Sequence, residues 1–130
     1  MKFIKLWLPV FFWCAAIFFL SSIPQLSTGW GIWDLFFRKL AHMSEYFILV
    51  FLLYRAFKGT FRLSFWSLFF WPFSLTFLYA VSDEIHQLFV FGRSGNIPDV
   101  IIDTLGIIGF YLFLKYKNKR GGECLLKIQK

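Results

Sequence analysis

The sequence predicts an all-α membrane protein of four transmembrane helices with both termini in the cytoplasm. Three observations carry that expectation: an excess of apolar and aromatic side chains, four long apolar runs, and a one-sided distribution of positive charge. Of 130 residues, 58% are hydrophobic, 24% are aromatic and twenty are Phe. A soluble domain this small keeps much of its surface wet and could not hide so much apolar side chain. Lipid is the natural second solvent. A net charge of +7 would suit nucleic acid only if it formed a basic face on a soluble fold. Here Lys and Arg fall mostly between and beyond the apolar runs, so no nucleic-acid partner is expected.

The runs cover residues 6–23, 40–57, 63–82 and 97–114, each close to the ~20 residues a helix needs to cross a ~30 Å hydrocarbon core. They are continuously apolar rather than alternating with period two, which argues against strands. With flanking turns added, helices are expected at about 6–23, 34–57, 63–87 and 97–115. They form a single transmembrane domain, 1–130, ending in a mobile basic cytoplasmic tail, 116–130. The first run reads as a retained helix rather than a signal peptide: no charge separates Lys5 from Asp34, and Ala15-Ala16 lies inside the run. Pro9 falls in its first turn, where a missing N–H costs little. Asp34 is placed to cap the second helix, and Asn96 before Ile97-Pro98 to start the fourth. Trp30 and Trp33 suit a membrane interface. Pro72, midway along the third helix, invites a kink that neighbouring helices can accommodate. Gly106 and Gly109 allow close helix approach, though not at GxxxG spacing. Cys14 lies in a helix and Cys124 in the tail, so neither a disulfide nor a zinc ribbon is expected.

Charge sets the orientation. Lys2 and Lys5 precede the first helix; Arg55, Lys58 and Arg62 separate the second from the third; Lys115, Lys117, Lys119, Arg120, Lys127 and Lys130 follow the fourth. These are eleven of the fourteen basic residues, and the positive-inside rule makes their side cytoplasmic. Arg38, Lys39 and Arg93 lie toward the other side, together with Asp34, Glu45, Asp83, Glu84, Asp99 and Asp103.

Ionisable groups at membrane depth cost several kcal/mol unless they are paired or face water, so this second set asks for a reason. Arg38, His42 and Glu45 form one stripe of the second helix, and Lys39, His42 and Tyr46 an overlapping one. At the end of the third helix Asp83 aligns with His86 and Gln87, with Glu84 about a quarter-turn away. Asp99 and Asp103 lie one turn apart on the fourth. Arg93 sits in a loop where Gly92 and Gly95 permit sharp bends. Three helices and one loop therefore bring acids, bases and both histidines to one membrane level.

The chain also resembles the VanZ-like family. The resemblance rests on Lys39-x-x-His42-x-x-x-Tyr46, then Asp83-Glu84-x-His86-Gln87-x-Phe89-x-x-Gly92-Arg93, then Asp99 with Gly106 and Gly109. It spans about residues 21–113. Arg38 stands where the family pattern leads one to expect an acid, Phe91 where proline is common and Asp103 where asparagine is common. The family takes its name from a membrane protein associated with teicoplanin resistance in Gram-positive bacteria. The resemblance implies a role in the cell envelope and a link to glycopeptide antibiotic resistance.

Several functions suit the polar residues. The first is an outward-facing site that binds or modifies the head group of a lipid-linked envelope component, such as a polyprenyl phosphate. Lys39 and Arg93 would hold phosphate, Arg by forked hydrogen bonding and Lys as a point charge. Asp83, Gln87 and Asp99 would complete the substrate contacts. His42 or His86 would act as nucleophile or general acid, with Glu84 or Asp83 orienting the ring. No phosphatase signature is present, so binding without chemistry is equally open, and no cofactor is expected. A second reading places a metal on His42-x-x-Glu45 and Asp83-x-x-His86, which the cationic Lys39 and Arg93 disfavour. A third is translocation with Asp103 and the His–carboxylate groups as a proton relay, for which a homo-oligomer would be needed. The plainest is a non-catalytic scaffold in which the cluster fastens four helices together.

Overall fold

The computed structural model describes residues 2–24, 31–92 and 97–128, with side chains through residue 119. It contains four helices: α1 (Lys2–Ser22), α2 (Ile32–Thr60), α3 (Phe65–Gln87) and α4 (Ile97–Ile128). Each is long and apolar enough to cross a membrane, and no strand occurs among the described residues. Large apolar side chains cover the outside, with Phe12, Phe19, Trp66 and Leu112 among the most exposed. That inversion of the usual soluble pattern fits a bundle solvated by lipid.

α2 is the central element. Its buried stripe, Tyr46, Leu49, Val50, Leu53 and Ala56, repeats at three- and four-residue steps and therefore faces inward along the helix. α2 packs most extensively on α4 and also touches α1 and α3, whereas α1 and α4 do not meet among the described residues. α1 and α4 thus lie on opposite sides of the α2–α3 pair. Ile107 and Phe110 of α4, Ala80 of α3, and Val10 and Ile17 of α1 complete the core.

With little hydrophobic drive between helices in lipid, hydrogen bonds and close packing hold them together. Trp7 donates to Thr60 Oγ1 at 3.1 Å, Trp13 to the Glu45 carbonyl at 3.0 Å, and Tyr79 to the Cys14 carbonyl at 2.7 Å. These fasten α1 to α2 and α3. Tyr111 of α4 donates to the Phe69 carbonyl at 2.8 Å, within the turn that Pro72 weakens. α3 is continuous through Pro72, which is buried, so the neighbour supplies a bond where the helix ladder is weakened.

The element boundaries differ from the sequence expectation in three places. α1 starts at Lys2, so Pro9 lies in its interior. Asp34 does not cap α2: the N-cap is Gly31 with φ 58°, no side-chain cap bond forms, and Asp34 occupies the first turn. There it complements the helix dipole and pairs with Arg38 at 3.3 Å. α4 runs on to Ile128 through the basic tail, which holds no proline to stop it. Trp30 and Asn96 lie outside the described residues, and α3 begins instead with a capped turn, Ser64 Oγ accepting from Ser67 N at 3.3 Å.

Candidate functional site

α2, α3 and α4 meet in a polar cluster at the end of the bundle where α2 and α4 begin and α3 finishes. Its outermost layer is an ion pair between α2 and α4, Lys39 Nζ to Asp99 Oδ1 at 2.6 Å, with both side chains about one-third exposed. One helical turn deeper, His42 of α2 faces Asp103 of α4, Nδ1 to Oδ1 at 3.6 Å. The same step of about four residues on both helices makes the two pairs stack, since residues four apart share a helix face.

Glu84 of α3 closes the group. Donor atoms of His42, Glu84 and Asp103 all lie within 4.8 Å of one another. Asp103 is fully buried, and no hydrogen bond among the described residues reaches either carboxylate oxygen. At 3.6 Å the His42–Asp103 contact is also longer than a hydrogen bond. Beside this trio, Asp83 accepts from Gln87 Nε2 at 3.0 Å. The buried hydroxyl of Tyr46 is directed toward Asp83 without reaching hydrogen-bond geometry. Asp83, Glu84 and Gln87 are all buried, so α3 turns this whole face inward.

His86 takes a different direction. Its Nε2 lies 3.0 Å from Ser22 Oγ, and its ring packs on Phe18 at 4.5 Å between centroids, both on α1. Ser22 Oγ also lies 2.7 Å from the Phe18 carbonyl and donates to it. The hydroxyl proton is thereby committed, so His86 must donate from Nε2. The structure therefore brings together His42, Glu84 and Asp103, with Lys39 and Asp99 above and Asp83 and Gln87 beside them. It places His86 in the α1–α3 seam, and Arg93 lies outside the described residues. Asp103 is the residue whose weight the sequence reading understated. Its i, i+4 relation to Asp99 was visible, but full burial against His42 depends on how closely α4 approaches α2.

That approach occurs at Gly106, where a Cβ would strike the Met43 carbonyl oxygen. Alongside, an apolar groove of about 270 Å³ is lined by Met43, Ser44, Phe47 and Ile48 of α2 and Leu105, Gly106 and Gly109 of α4. Its lining begins at Met43, one residue beyond His42 on α2, and at Leu105, two residues beyond Asp103 on α4. A charged layer, a buried acid–imidazole layer and an apolar groove thus follow one another along the α2–α4 seam.

A four-helix multi-pass membrane protein with an acid-rich polar cluster under one end of the bundle is the class that the fold and site define. The chain belongs to the VanZ/LLP1 family, whose family model matches residues 4–118. The match takes in α1 from Ile4 onward as well as the segment that carries the motif resemblance. It is also 33% identical over 88 residues to "Uncharacterized membrane protein YwnJ" of Bacillus subtilis (strain 168). That alignment covers 67% of this chain and 56% of the relative, so the chain spans little more than half the relative's length. No solved structure matches.

Proposed function

We propose that this protein sits in a bacterial cell membrane with both termini cytoplasmic and engages the head group of a lipid-linked envelope component at the outer end of α2–α4. The observation that carries the reading is the layering along the α2–α4 seam. Lys39 and Asp99 lie at the rim, His42, Glu84 and Asp103 sit beneath them, and an apolar groove continues inward. A single-file order of charge, polar cluster and groove suits an amphiphile whose head is polar and whose tail is a hydrocarbon chain. Sites of this kind are mostly apolar with a few placed polar groups.

Lys39 is the anion contact within the described residues. Its ammonium has three donors. One meets Asp99, and the partial exposure of the pair leaves the others open to a phosphate oxygen. Arg93 joins on its sequence position, as a two-pronged phosphate donor. Asp99 holds the ammonium in place, and Asp83 with Gln87 braces the α3 wall.

The test is native mass spectrometry of detergent-solubilised protein with polyprenyl phosphate as the probe lipid. Lys39→Ala is expected to weaken binding about tenfold, the equivalent of one charge-assisted hydrogen bond of ~1.4 kcal/mol. A Lys39→Ala/Asp99→Asn double variant controls for the stranded carboxylate. Binding equal to that of the parent in both variants would refute the reading.

A further inference from the structure

We infer that the apolar groove between α2 and α4 is a subsite for one hydrocarbon chain and holds only the stretch of that chain next to the head group. The inference rests on the head-group reading and adds to it the part of the lipid that the protein recognises. That part is the head-proximal segment of a single chain, whatever the length of chain beyond it.

Position is the first support. Lys39, Met43 and Phe47 follow one another at four-residue steps on α2 and so share one stripe of the helix. The partly exposed ammonium at the rim therefore stands on the same stripe as the groove wall. A lipid whose phosphate meets Lys39 brings its chain down to Met43 and Phe47, both of which line the groove.

The lining is the second. Ser44, its polar side chain, donates its hydroxyl to the Leu40 carbonyl of its own helix at 2.8 Å. The rest is apolar or glycine, so the groove suits hydrocarbon and offers little to a polar guest. Ser44 and Leu105 are exposed on the flank of the bundle. The groove thus opens sideways, and a chain enters it from the bilayer without leaving an apolar medium.

The third support is length. Leu105, Gly109 and Phe113 form one stripe of α4. Gly109 leaves the groove open, since a Cβ there would meet only Phe47 Cδ2 at 3.9 Å. One turn on, the Phe113 ring meets the Phe47 ring at 6.2 Å between centroids. Helical side chains lean toward the N-terminus, so this pair of rings closes the inner end of the groove. From Met43 to Ile48 the lining covers only ~7.5 Å of helix axis. A carbon of a packed chain fills about the ~30 Å³ that a water molecule takes in the liquid. The volume of about 270 Å³ therefore holds about nine carbons, nearly two isoprene units. Beyond the rings the chain turns out into the bilayer. A helix with its side chains is ~10 Å across, so a recess stoppered this soon suits a chain rather than a helix from a second copy.

The experiment uses the full chain in detergent micelles with prenyl phosphates as probes. Farnesyl phosphate and a long polyprenyl phosphate, at equal mole fraction in the micelle, should bind within about threefold of each other, because both fill the groove. Affinity that climbs steadily with chain length would overturn the inference. A diazirine on the second isoprene unit should cross-link to residues 43–48 or 105–109, and a diazirine at the far end of the long chain should not. Gly109→Leu places a side chain in the groove and should weaken both lipids about tenfold, with its melting temperature checking that the variant is folded. Should it fail to fold, cross-linking of the parent decides. Prenyl phosphate that binds but cross-links elsewhere, or binds well-folded Gly109→Leu as it binds the parent, would overturn the groove and leave the head-group reading standing. Disulfide-linked dimers through Ser44→Cys in high yield, with the lipid cross-linked elsewhere, would assign the groove to a second copy instead. If no prenyl phosphate binds the parent at all, the head-group reading falls and this inference falls with it.

Discussion

Replacing Gly106 by alanine tests the packing that brings the site together. A Cβ there would strike the Met43 carbonyl oxygen and lie 3.0 and 3.2 Å from the Met43 carbonyl carbon and Cα. All three are backbone atoms, so no rotamer change relieves the contact and α4 must move away from α2. Overpacking of this kind costs about 1–3 kcal/mol. Alanine also gains up to ~1 kcal/mol of helix propensity over glycine, which obscures the absolute effect. Gly109→Ala supplies the reference, because its Cβ would meet only Phe47 Cδ2 at 3.9 Å, an ordinary contact. The propensity gain cancels between the two variants. Gly106→Ala should therefore be less stable than Gly109→Ala by about 1–3 kcal/mol. The assay is thermal melting of both proteins in the same detergent, where that difference amounts to several degrees. Lipid binding should fall in Gly106→Ala as the two layers above are pulled apart. Equal melting temperatures would refute the close approach of α2 and α4 on which the site depends.

Two further outcomes follow from the same geometry and charge pattern. His86→Ala should cost about 1 kcal/mol of stability through the lost bond to Ser22 and leave polyprenyl phosphate binding within twofold, as titrations of parent and variant would show; a larger loss of binding would return His86 to the site. For topology, a cysteine placed at Ser94 should label with an impermeant reagent on intact cells, and Cys124 only after permeabilisation. The reverse pattern would put the polar cluster on the cytoplasmic side.

The helices were legible because hydropathy in a membrane segment is close to one-dimensional: each run of about 20 apolar residues has only one economical conformation in lipid. The pairs along the α2–α4 seam were partly legible too. Lys39 and His42 share a stripe, and so do Asp99 and Asp103. What spacing could not supply is the rotation of α3 about its own axis. Two residues apart on a helix means about 200° around it, so Glu84 and His86 cannot face the same neighbour. Their sequence positions do not say which one turns toward α4. Packing decides: α1 occupies the other side of α3 and offers Ser22 and Phe18 to His86, leaving Glu84 to turn inward. The cap of α2 was misplaced for a similar reason. Asp34 has the chemistry of a cap, but Gly31 adopts the positive φ that starts the helix earlier, and Arg38 one turn on takes the carboxylate.

Asp103 separates a binding site from a structural fastening most directly. A fully buried carboxylate with no hydrogen bond to either oxygen is unfavourable for folding, and residues kept for binding commonly carry such a cost. Asn has nearly the same shape without the charge. The decisive measurement is melting temperature and polyprenyl phosphate binding of Asp103→Asn against the parent, on matched preparations. A site that binds should yield a variant that melts at or above the parent and binds the anionic lipid with an affinity at least tenfold different from the parent's, a negative charge having been removed beneath the head group. A variant that melts lower and binds as the parent does would show that the cluster only fastens α2, α3 and α4 together.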